Sequence, residues 1–483
     1  MRWLTACGWV RCRYRGLLLA AVTPLVVVAG VIPIASGATE MRAIPLAFLI
    51  ICAVMAVFLV AYLTMAKLVK GVGGFAAYIS IGLNRPLGVA GAFQAAAAYG
   101  ALYVGLYGLF GPSMQGLVGS HVDLPWYIWA VAAAVVVAIL GLFRVDIGAW
   151  LLAVLVLLEL FSIVVLSVRG LQHPAAGHLT LAGFNPQLLA RAGATAGFGI
   201  VLLGVTGVEQ AAIYNTRVKD GRRTMLRASI GVLVAVTVVY VLASWSYQVF
   251  WGDKVAAETT DPNAAFALAG IGVLGTLVHI QLLVSIFAAL LSFHNATVQY
   301  LYSMGVLRVL WSRWSQVNRF DAPWVASLTL TIVSLAAIVA VRLAKLDPLT
   351  WMFYRVGNFG AFLVFGLLTA TSVAVRVRFW RNPEGEPVFT RLIAPVVAAV
   401  GLGVMVYFVA TNYASLINVD PHSREAWAWP WSNAAIALLG LLRGLYMKKY
   451  RRTDYAALPH YQPKQPPTAP APRASQPQTV GGW

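Results

Sequence analysis

Ionisable and hydroxyl side chains within long apolar segments are the residues of this sequence that could do chemistry. Five of them are our candidates for gating or coupling: Glu159, Glu209, Ser292, His294 and Arg355. Charged groups are costly inside a membrane, so those found there usually belong to ion or substrate pathways. A carboxylate away from bulk water can exchange a proton near neutral pH, which makes Glu209 a candidate for gating or proton coupling. The alternative is a static carboxylate that joins neighbouring helices by hydrogen bonds.

The other four residues each have two interpretations. Glu159 and Arg355 either pair with each other or face a water-filled pathway. His294 is either a proton relay or a hydrogen-bonded core residue. Ser292 either offers an oxygen to a cation or bonds the backbone of its own helix.

No set of residues in the sequence is typical of an enzyme. We find no nucleophile with a base and no metal-binding cluster, and Cys7, Cys12 and Cys52 lack metal-ligand or redox spacing. We therefore expect no catalytic residues, no metal and no cofactor.

Three tyrosines recur every fourth residue, at Tyr99, Tyr103 and Tyr107. This spacing places them on one face of a helix. An aromatic ring can stack on a ligand or attract a cation. We predict that Tyr99 and Tyr103 contact a substrate, and plain packing is the alternative.

The composition requires a membrane environment for these residues. The 483 residues are 60% hydrophobic and 11% charged, against about 25% charged in soluble proteins. Apolar runs long enough to cross a bilayer as helices recur along the chain, and they are continuous rather than alternating. The net charge of +19 is spread through short loops, which argues against nucleic-acid binding. The expected partners are a lipid bilayer and a small molecule.

These runs predict an all-α polytopic membrane protein of about twelve transmembrane helices. Three regions are expected: a basic cytoplasmic N-terminus at 1–16, a transmembrane domain at 17–450, and a disordered, Pro- and Gln-rich cytoplasmic tail at 451–483. The predicted helices are 17–36, 44–66, 86–115, 125–143, 147–168, 190–215, 227–250, 267–305, 323–342, 349–375, 391–411 and 428–447.

The basic residues predict the orientation of the helices. With both termini inside, about three quarters of the Lys and Arg residues fall in cytoplasmic segments, as the positive-inside rule requires. An alternative exists for residues 1–39, which also have the pattern of a signal peptide.

The first and sixth predicted helices carry breaks. Thr23-Pro24 interrupts the first, and the sixth has several glycines that include Gly204 and Gly207. Paired breaks five helices apart indicate two inverted repeats with a binding site between them, whereas close helix packing is the alternative role of the glycines. The predicted substrate-binding residues at the breaks are Ala21, Val22, Thr23, Pro24, Leu25, Leu203, Gly204, Thr206 and Gly207.

The two broken ends differ in chemistry. Amide groups after Pro24 would suit a carboxylate, and carbonyl groups near Gly204 would suit an ammonium group. A zwitterionic amino acid would match both ends.

Four short motifs follow one another along the chain: AAVTPLVVVAG at 20–30, GGF at 73–75 with RPLG at 85–88, GVEQAAIY at 207–214, and LSFHNAT at 291–297. In this order they resemble the amino acid–polyamine–organocation superfamily, in its bacterial amino acid permease branch. The resemblance covers about residues 20 to 450. It implies a LeuT-type fold of 5+5 inverted repeats plus two peripheral helices, a location in the bacterial inner membrane, and amino acid transport by proton-coupled symport or exchange.

Two departures from the family pattern suggest a second hypothesis. The family continues its sixth-helix motif with two acidic residues and a proline that residues 215–221 lack, and residues 305–311 differ from its Gly-Arg-Glu-Gly-Val-Leu-Pro motif. The alternative function is therefore a diverged permease-like paralogue that binds without transporting, as a sensor or an assembly partner.

Overall fold

Helices make up nearly all of the described chain. The computed structural model describes residues 23–37, 39–65, 68, 74–119, 121–143, 149–191, 193–212, 221–254, 273–417 and 419–458. Helix content is 83%, and these residues contain no strand. The predicted all-α class is confirmed. The basic N-terminus at 1–16 lies outside the described residues.

A helix occupies each of the twelve predicted positions. Within the part of the chain that the structure describes, seven of them are long and apolar enough to cross a membrane, and the number of twelve spans stays a prediction. The twelve helices are α1 (Pro24–Gly37), α2 (Ile44–Thr64), α3 (Arg85–Val118), α4 (Trp126–Gly141), α5 (Ala149–Gln172), α6 (Ala194–Leu203), α7 (Gly221–Trp251), α8 (Val273–Val306), α9 (Trp324–Leu343), α10 (Leu349–Arg381), α11 (Phe389–Thr411) and α12 (Arg424–Tyr450).

Shorter segments connect the principal helices. A helix at Gly74–Gly82 precedes α3, and 3-10 turns at Ala182–Phe184 and Pro186–Ala190 lie between α5 and α6. A further helix, Arg452–Ala457, follows α12 and packs on it. The predicted tail at 451–483 thus begins with a short helix, and its remainder from 459 onward lies outside the described residues.

Side-chain caps define where two of the helices begin. The Asn84 side chain accepts a hydrogen bond from the Leu87 amide at 2.9 Å before α3, and Pro86 stands in its first turn. The Ser423 hydroxyl accepts from the Ala426 amide at 3.2 Å before α12. Each cap satisfies an amide that has no partner within the helix.

Helix α3 lies at the centre of the molecule, against α8, α10 and α12. Glycines allow these close approaches. A Cβ atom added at Gly105 of α3 would lie 2.9 Å from the Gly357 Cα atom of α10, and one added at Gly440 of α12 would lie 2.6 Å from the Ala90 Cα atom of α3. Backbones therefore meet almost directly, as is common in membrane helix bundles.

Helix α1 is enclosed by protein rather than by lipid. Every residue from 23 to 36 is buried, and α1 contacts α5, α6, α7 and α8. An apolar helix enclosed on all sides is typical of a bundle core. The candidate site lies at the beginning of this helix.

Candidate functional site

The beginning of α1 has an unusual backbone. Thr23 adopts a left-handed conformation with φ 46°, and Pro24 opens the helix. Proline suits a first helical position because it has no amide hydrogen to satisfy. Residues Val27–Val31 then form a π-helical turn just before Pro33. Such turns are frequent at functional sites and near helix-distorting prolines.

The sixth helix is interrupted in the middle. Helix α6 ends at Leu203, a turn follows at 204–207, and a 3-10 segment occupies Val208–Ala212. Gly207 has φ 113°, a conformation that glycine adopts without steric cost. Within the described part of the chain, the carbonyl groups of residues 204–206 accept no backbone hydrogen bond. Among the described residues, the interruption thus leaves three carbonyl oxygens without a backbone donor.

The two interrupted helices touch where their breaks lie. A Cβ atom added at Gly204 would lie 2.8 Å from Val27 Cγ1, so the glycine allows this contact. Beside the contact is a cavity of about 40 Å³. Its wall combines residues from α1, α3, α6, α8 and α10, so all these elements position the site.

Among the residues that the structure describes, the cavity wall is mostly apolar and carries no charged side chain. Thr23 and Thr206 are its polar side chains, and Phe293 and Phe353 present aromatic rings. The Thr206 hydroxyl donates to the Leu203 carbonyl oxygen at 2.8 Å. The aliphatic part of the wall comes from Val26, Val27, Val31, Leu102, Leu106 and Leu203.

The amide groups at the beginning of α1 already have hydrogen-bond partners. Pro24 has no amide hydrogen, and the amides of Val26 and Val27 donate to the Thr23 carbonyl oxygen at 3.1 and 3.4 Å. The Leu25 amide donates to the carboxylate of Glu159. The protein itself therefore occupies the donors that were predicted to bind a substrate carboxylate.

Glu159 projects from α5 and is 3% exposed. Besides the Leu25 amide, its carboxylate accepts a hydrogen bond from the Ser285 hydroxyl of α8 at 3.0 Å. The carboxylate thus joins α5 to α1 and α8.

Arg355 does not pair with Glu159, which was one of its two predicted arrangements. Its guanidinium instead pairs with Glu425 at the beginning of α12. It also lies 4.0 Å from the ring centre of Trp351 within the π-helical segment Leu349–Gly357 of α10. Arg355 takes these partners because the Glu425 carboxylate and the Trp351 ring both lie next to its guanidinium.

Glu209 is fully buried beside the break in the sixth helix. Its carboxylate accepts from the Gly207 amide at 2.7 Å and from the Tyr99 hydroxyl at 3.0 Å. Its own backbone amide donates to it as well. The carboxylate therefore holds the turn at 204–207 against α3.

The tyrosines of α3 contact protein groups rather than the cavity. Tyr99 bonds Glu209, and the Tyr107 hydroxyl donates to that of Tyr103 at 2.6 Å. The residues of α3 that line the cavity are instead Leu102 and Leu106. The predicted substrate contacts of Tyr99 and Tyr103 are thus absent from this cavity, because the neighbouring face of α3 is turned toward it.

His294 and Ser292 lie in different surroundings on α8. The His294 ring packs edge-on against Tyr103 with a centroid distance of 5.3 Å, and its Nε2 atom lies 3.0 Å from the Ser327 hydroxyl of α9. Ser292 donates to the Gln210 side-chain oxygen at 3.3 Å. Both link helices around the site without lining the cavity.

The remaining predicted residues are placed as follows. Ala21 and Val22 lie outside the described residues. Thr23, Leu203 and Thr206 line the cavity, whereas Pro24, Leu25, Gly204 and Gly207 shape the backbone beside it.

Sequence reasoning missed several residues of the site. Phe293 and Phe353 line the cavity, and Ser285 and Gln210 bond predicted residues. One signal was available for Ser285, which stands seven residues before Ser292 and so lies two turns away on the same helix face. Phe353 carries no such signal, since only the folding of α10 brings it near α1.

Comparison with known proteins identifies the family. Residues 17–442 match the family model described as "Amino acid permease". Among curated proteins, no relative matches the sequence.

Solved structures with the same fold include those of the Eremococcus coleocola manganese transporter. A mutant of that protein has a TM-score of 0.62 at 14% identity, with 93% of this chain and 95% of that chain covered. Its complex with an aromatic bis-isothiourea substituted compound has a TM-score of 0.59 at 13% identity, over the same shares of the two chains. Identity this low shows the fold alone, and that fold is LeuT-type. The family match covers most of the chain, and we conclude that the protein belongs to the amino acid permease family and is a secondary transporter rather than an enzyme.

Proposed function

We propose that this protein moves an amino acid or a related small organic cation by alternating access, through proton-coupled symport or exchange. The observation that carries the proposal is the cavity at the contact between the two interrupted helices, with a buried carboxylate beside each break. Transporters of this kind bind substrate at such breaks, where backbone groups are free. The carbonyl groups at 204–206, which accept no backbone hydrogen bond from the described residues, suit the ammonium group that both substrate classes share.

Glu209 is our candidate for gating or coupling. Its carboxylate bonds the backbone of the break itself, so a change in its charge would alter the hydrogen bonds that shape the turn at 204–207. Protons from the membrane gradient are the proposed driving ions. We place the protein in the bacterial inner membrane with both termini in the cytoplasm, following the distribution of its basic residues.

Uptake by purified protein in proteoliposomes tests the proposal. We expect labelled amino acids or amines to accumulate, and to accumulate faster when the outside is more acidic than the inside. Glu209→Gln should lower uptake about tenfold or more and remove its dependence on the pH gradient, since a neutral amide cannot exchange the proton. Glu384→Gln, in the loop after α10, is the matched control and should leave uptake unchanged. Full, gradient-dependent uptake by Glu209→Gln would refute the role of this residue.

The same experiment separates the alternative function. A sensor or assembly partner would bind ligand without uptake or exchange. Of the two segments that motivate this alternative, 305–311 lies within the described residues, whereas of 215–221 only Gly221 does. The hypothesis of a non-transporting paralogue therefore depends on the transport measurement.

A further inference from the structure

Three arginines surround one carboxylate at the end of α12. Asp454 lies 4.0 Å from the Arg308 guanidinium and 3.9 Å from that of Arg451, measured from nitrogen to oxygen. Arg443 of α12 donates to the Arg308 carbonyl oxygen at 3.4 Å, so it lies at the same place. Ion pairs with full hydrogen bonds are shorter, at about 2.7–2.9 Å. Asp454 therefore compensates the charge of these arginines only in part.

The three arginines, which we call the basic cluster (Arg308, Arg443 and Arg451), can be reached from outside the protein. The side chain of Arg308 is 66% exposed and that of Arg451 is 44% exposed. Each guanidinium carries several N–H donors in a planar fork. Arg443 forms no ion pair with any residue that the structure describes. The basic cluster thus offers an accessible surplus of positive charge and donors for an anion.

The backbone of Arg308 is also unusual. Its φ of 50° is left-handed, a conformation that favours glycine, and the family motif that corresponds to residues 305–311 has glycine at this position. The same motif has glutamate where this chain has Leu307. Backbone outliers of this kind cluster at functional sites. This chain therefore places a positive charge at a strained position, next to a site that lacks the acidic residue of the motif.

Further basic and aromatic side chains extend the basic cluster at the end of α12. Lys448, Lys449 and Arg452 are exposed, and the Lys449 ammonium lies 5.0 Å from the ring centre of Tyr450. Tyr446 and Tyr450 are exposed as well. Tyrosines are typical of the depth at which lipid headgroups meet water. The basic cluster therefore lies at the depth of the headgroups.

An apolar face of α12 leads to the basic cluster. Leu438, Leu442 and Leu445 are exposed, and their spacing of four and three residues places them on one helix face. Lys449 continues this face by a further step of four residues. An exposed apolar face of a membrane protein is a surface for lipid chains. A molecule that joins long apolar chains to an anionic group would match both surfaces.

We infer that the end of α12 binds an anionic phospholipid. Its phosphate lies against the basic cluster, where Arg308 and Arg451 donate to the phosphate oxygens, and its acyl chains follow the leucines of α12. A phosphate free in solution has the same oxygens but gains nothing from the leucines. A zwitterionic lipid carries a quaternary ammonium, which the arginines repel. The inference goes beyond the proposed function and does not depend on what the protein transports.

Lipids that differ in headgroup charge test the inference. Full-length protein in a non-ionic detergent is titrated with phosphatidylglycerol, with phosphatidylcholine of the same acyl chains, and with inorganic phosphate, and binding is followed by the shift in melting temperature. We expect phosphatidylglycerol to bind about tenfold or more tightly than phosphatidylcholine, because basic residues attract anionic headgroups, and phosphate at the same concentrations to cause no shift. Equal binding of the two lipids would overturn the inference. A shift with phosphate as large as that with phosphatidylglycerol would also overturn it, in favour of a soluble anion.

Variants that remove charge locate the site. Arg308→Gln together with Arg451→Gln keeps two polar side chains but removes both charges, so the ratio of phosphatidylglycerol to phosphatidylcholine affinity should fall toward one. Arg342→Gln together with Lys345→Gln is the matched control and should keep the wild-type ratio. These residues lie at the opposite end of α9 from the connection that carries Arg308, and Lys345 also has a left-handed φ of 52°. A ratio unchanged by the first pair, or lowered equally by both pairs, would contradict the inference.

Asp454→Asn gives a second test that removes no arginine. The Asp454 carboxylate competes with the lipid phosphate for the same guanidiniums. Its neutralisation should therefore tighten the binding of phosphatidylglycerol about threefold or more and leave that of phosphatidylcholine unchanged. Weaker or unchanged binding of phosphatidylglycerol would count against the site, even if the arginine variants fail to fold.

Discussion

Each of the two buried carboxylates is bonded to the backbone of an interrupted helix. Glu159 accepts from the Leu25 amide at the beginning of α1, and Glu209 accepts from the Gly207 amide after α6. Side-chain hydroxyls complete both sites, from Ser285 and Tyr99. Backbone groups left free by a helix break must find partners within the protein when lipid surrounds it. At the residue scale, these carboxylates therefore maintain the breaks and also place negative charge beside the cavity.

The Tyr99–Glu209 hydrogen bond gives a prediction at this scale. Tyr99→Phe removes a donor to a fully buried carboxylate, and such bonds contribute about 1.5–3 kcal/mol. We expect a lower melting temperature in detergent and slower uptake. Tyr78→Phe is the matched control, because the buried Tyr78 hydroxyl has no hydrogen-bond partner among the described residues, and it should leave the melting temperature unchanged or slightly higher. A Tyr99→Phe protein as stable as Tyr78→Phe would mean that the bond contributes nothing.

At the scale of elements, the site depends on the close approach of α1 and α6. Gly204 and Val27 form this contact, and the π-helical turn of α1 places Gly30 against the Phe353 ring, 3.4 Å from the position of an added Cβ atom. Small residues at these points let three helices converge on one cavity. A change in size here should act on the geometry of the site without removing any polar group.

Gly204→Ala tests this contact. The added methyl group would lie 2.8 Å from Val27 Cγ1, and overpacking of this kind costs about 1–3 kcal/mol. We expect weaker ligand binding and a lower melting temperature, both restored in part by Val27→Ala in the same protein. Gly231→Ala on α7 is the control, since no atom lies within 4 Å of its added Cβ, and alanine should stabilise that helix. If Gly204→Ala behaves like Gly231→Ala, the close approach has no role in the site.

The elements were more predictable than their contacts. A long apolar run in lipid can satisfy its backbone only as a helix, so helix positions followed from composition alone. The contact of Glu159 with Leu25 joins positions far apart in the chain, and no local pattern indicates it. The spacing of Tyr103 and Tyr107 correctly placed them on one face of α3, but Leu102 and Leu106 have the same spacing. Only the packing of α3 decides which pair lines the cavity.

At the scale of the whole molecule, α12 is attached to the central bundle at both ends. Gly440 and Gly444 bring it against α3, and the Gln94 side chain donates to that of Asn433 at 2.6 Å. At the other end of α12, Glu425 pairs with Arg355 of α10. Helix α12, which the sequence predicts to be one of two peripheral helices, is thus bonded to α10, which lines the cavity.

The Arg355–Glu425 pair gives a prediction at this scale. Arg355 is 8% exposed, so Glu425→Gln leaves a nearly buried charge without its partner. The partial exposure of Glu425 reduces the cost, and we expect a loss of about 1–3 kcal/mol, measured as a lower melting temperature. Asp253→Asn breaks the Arg42–Asp253 pair, in which Asp253 is 93% exposed, and should have almost no effect. Equal effects of the two substitutions would show that burial does not strengthen the first pair.

The glycine contacts of α3 have a consequence for how the molecule changes shape. Where backbones meet at Gly105 and Gly440, a shift of one helix along another would drive side chains into the facing backbone. Close-packed surfaces of this kind have few alternative arrangements. Helices α3, α10 and α12 should therefore turn together as one block during a transport cycle. The sliding surface then lies along α1 and α6, whose contacts are side chain to glycine, so the ligand would sit on the boundary between the moving and the stationary part.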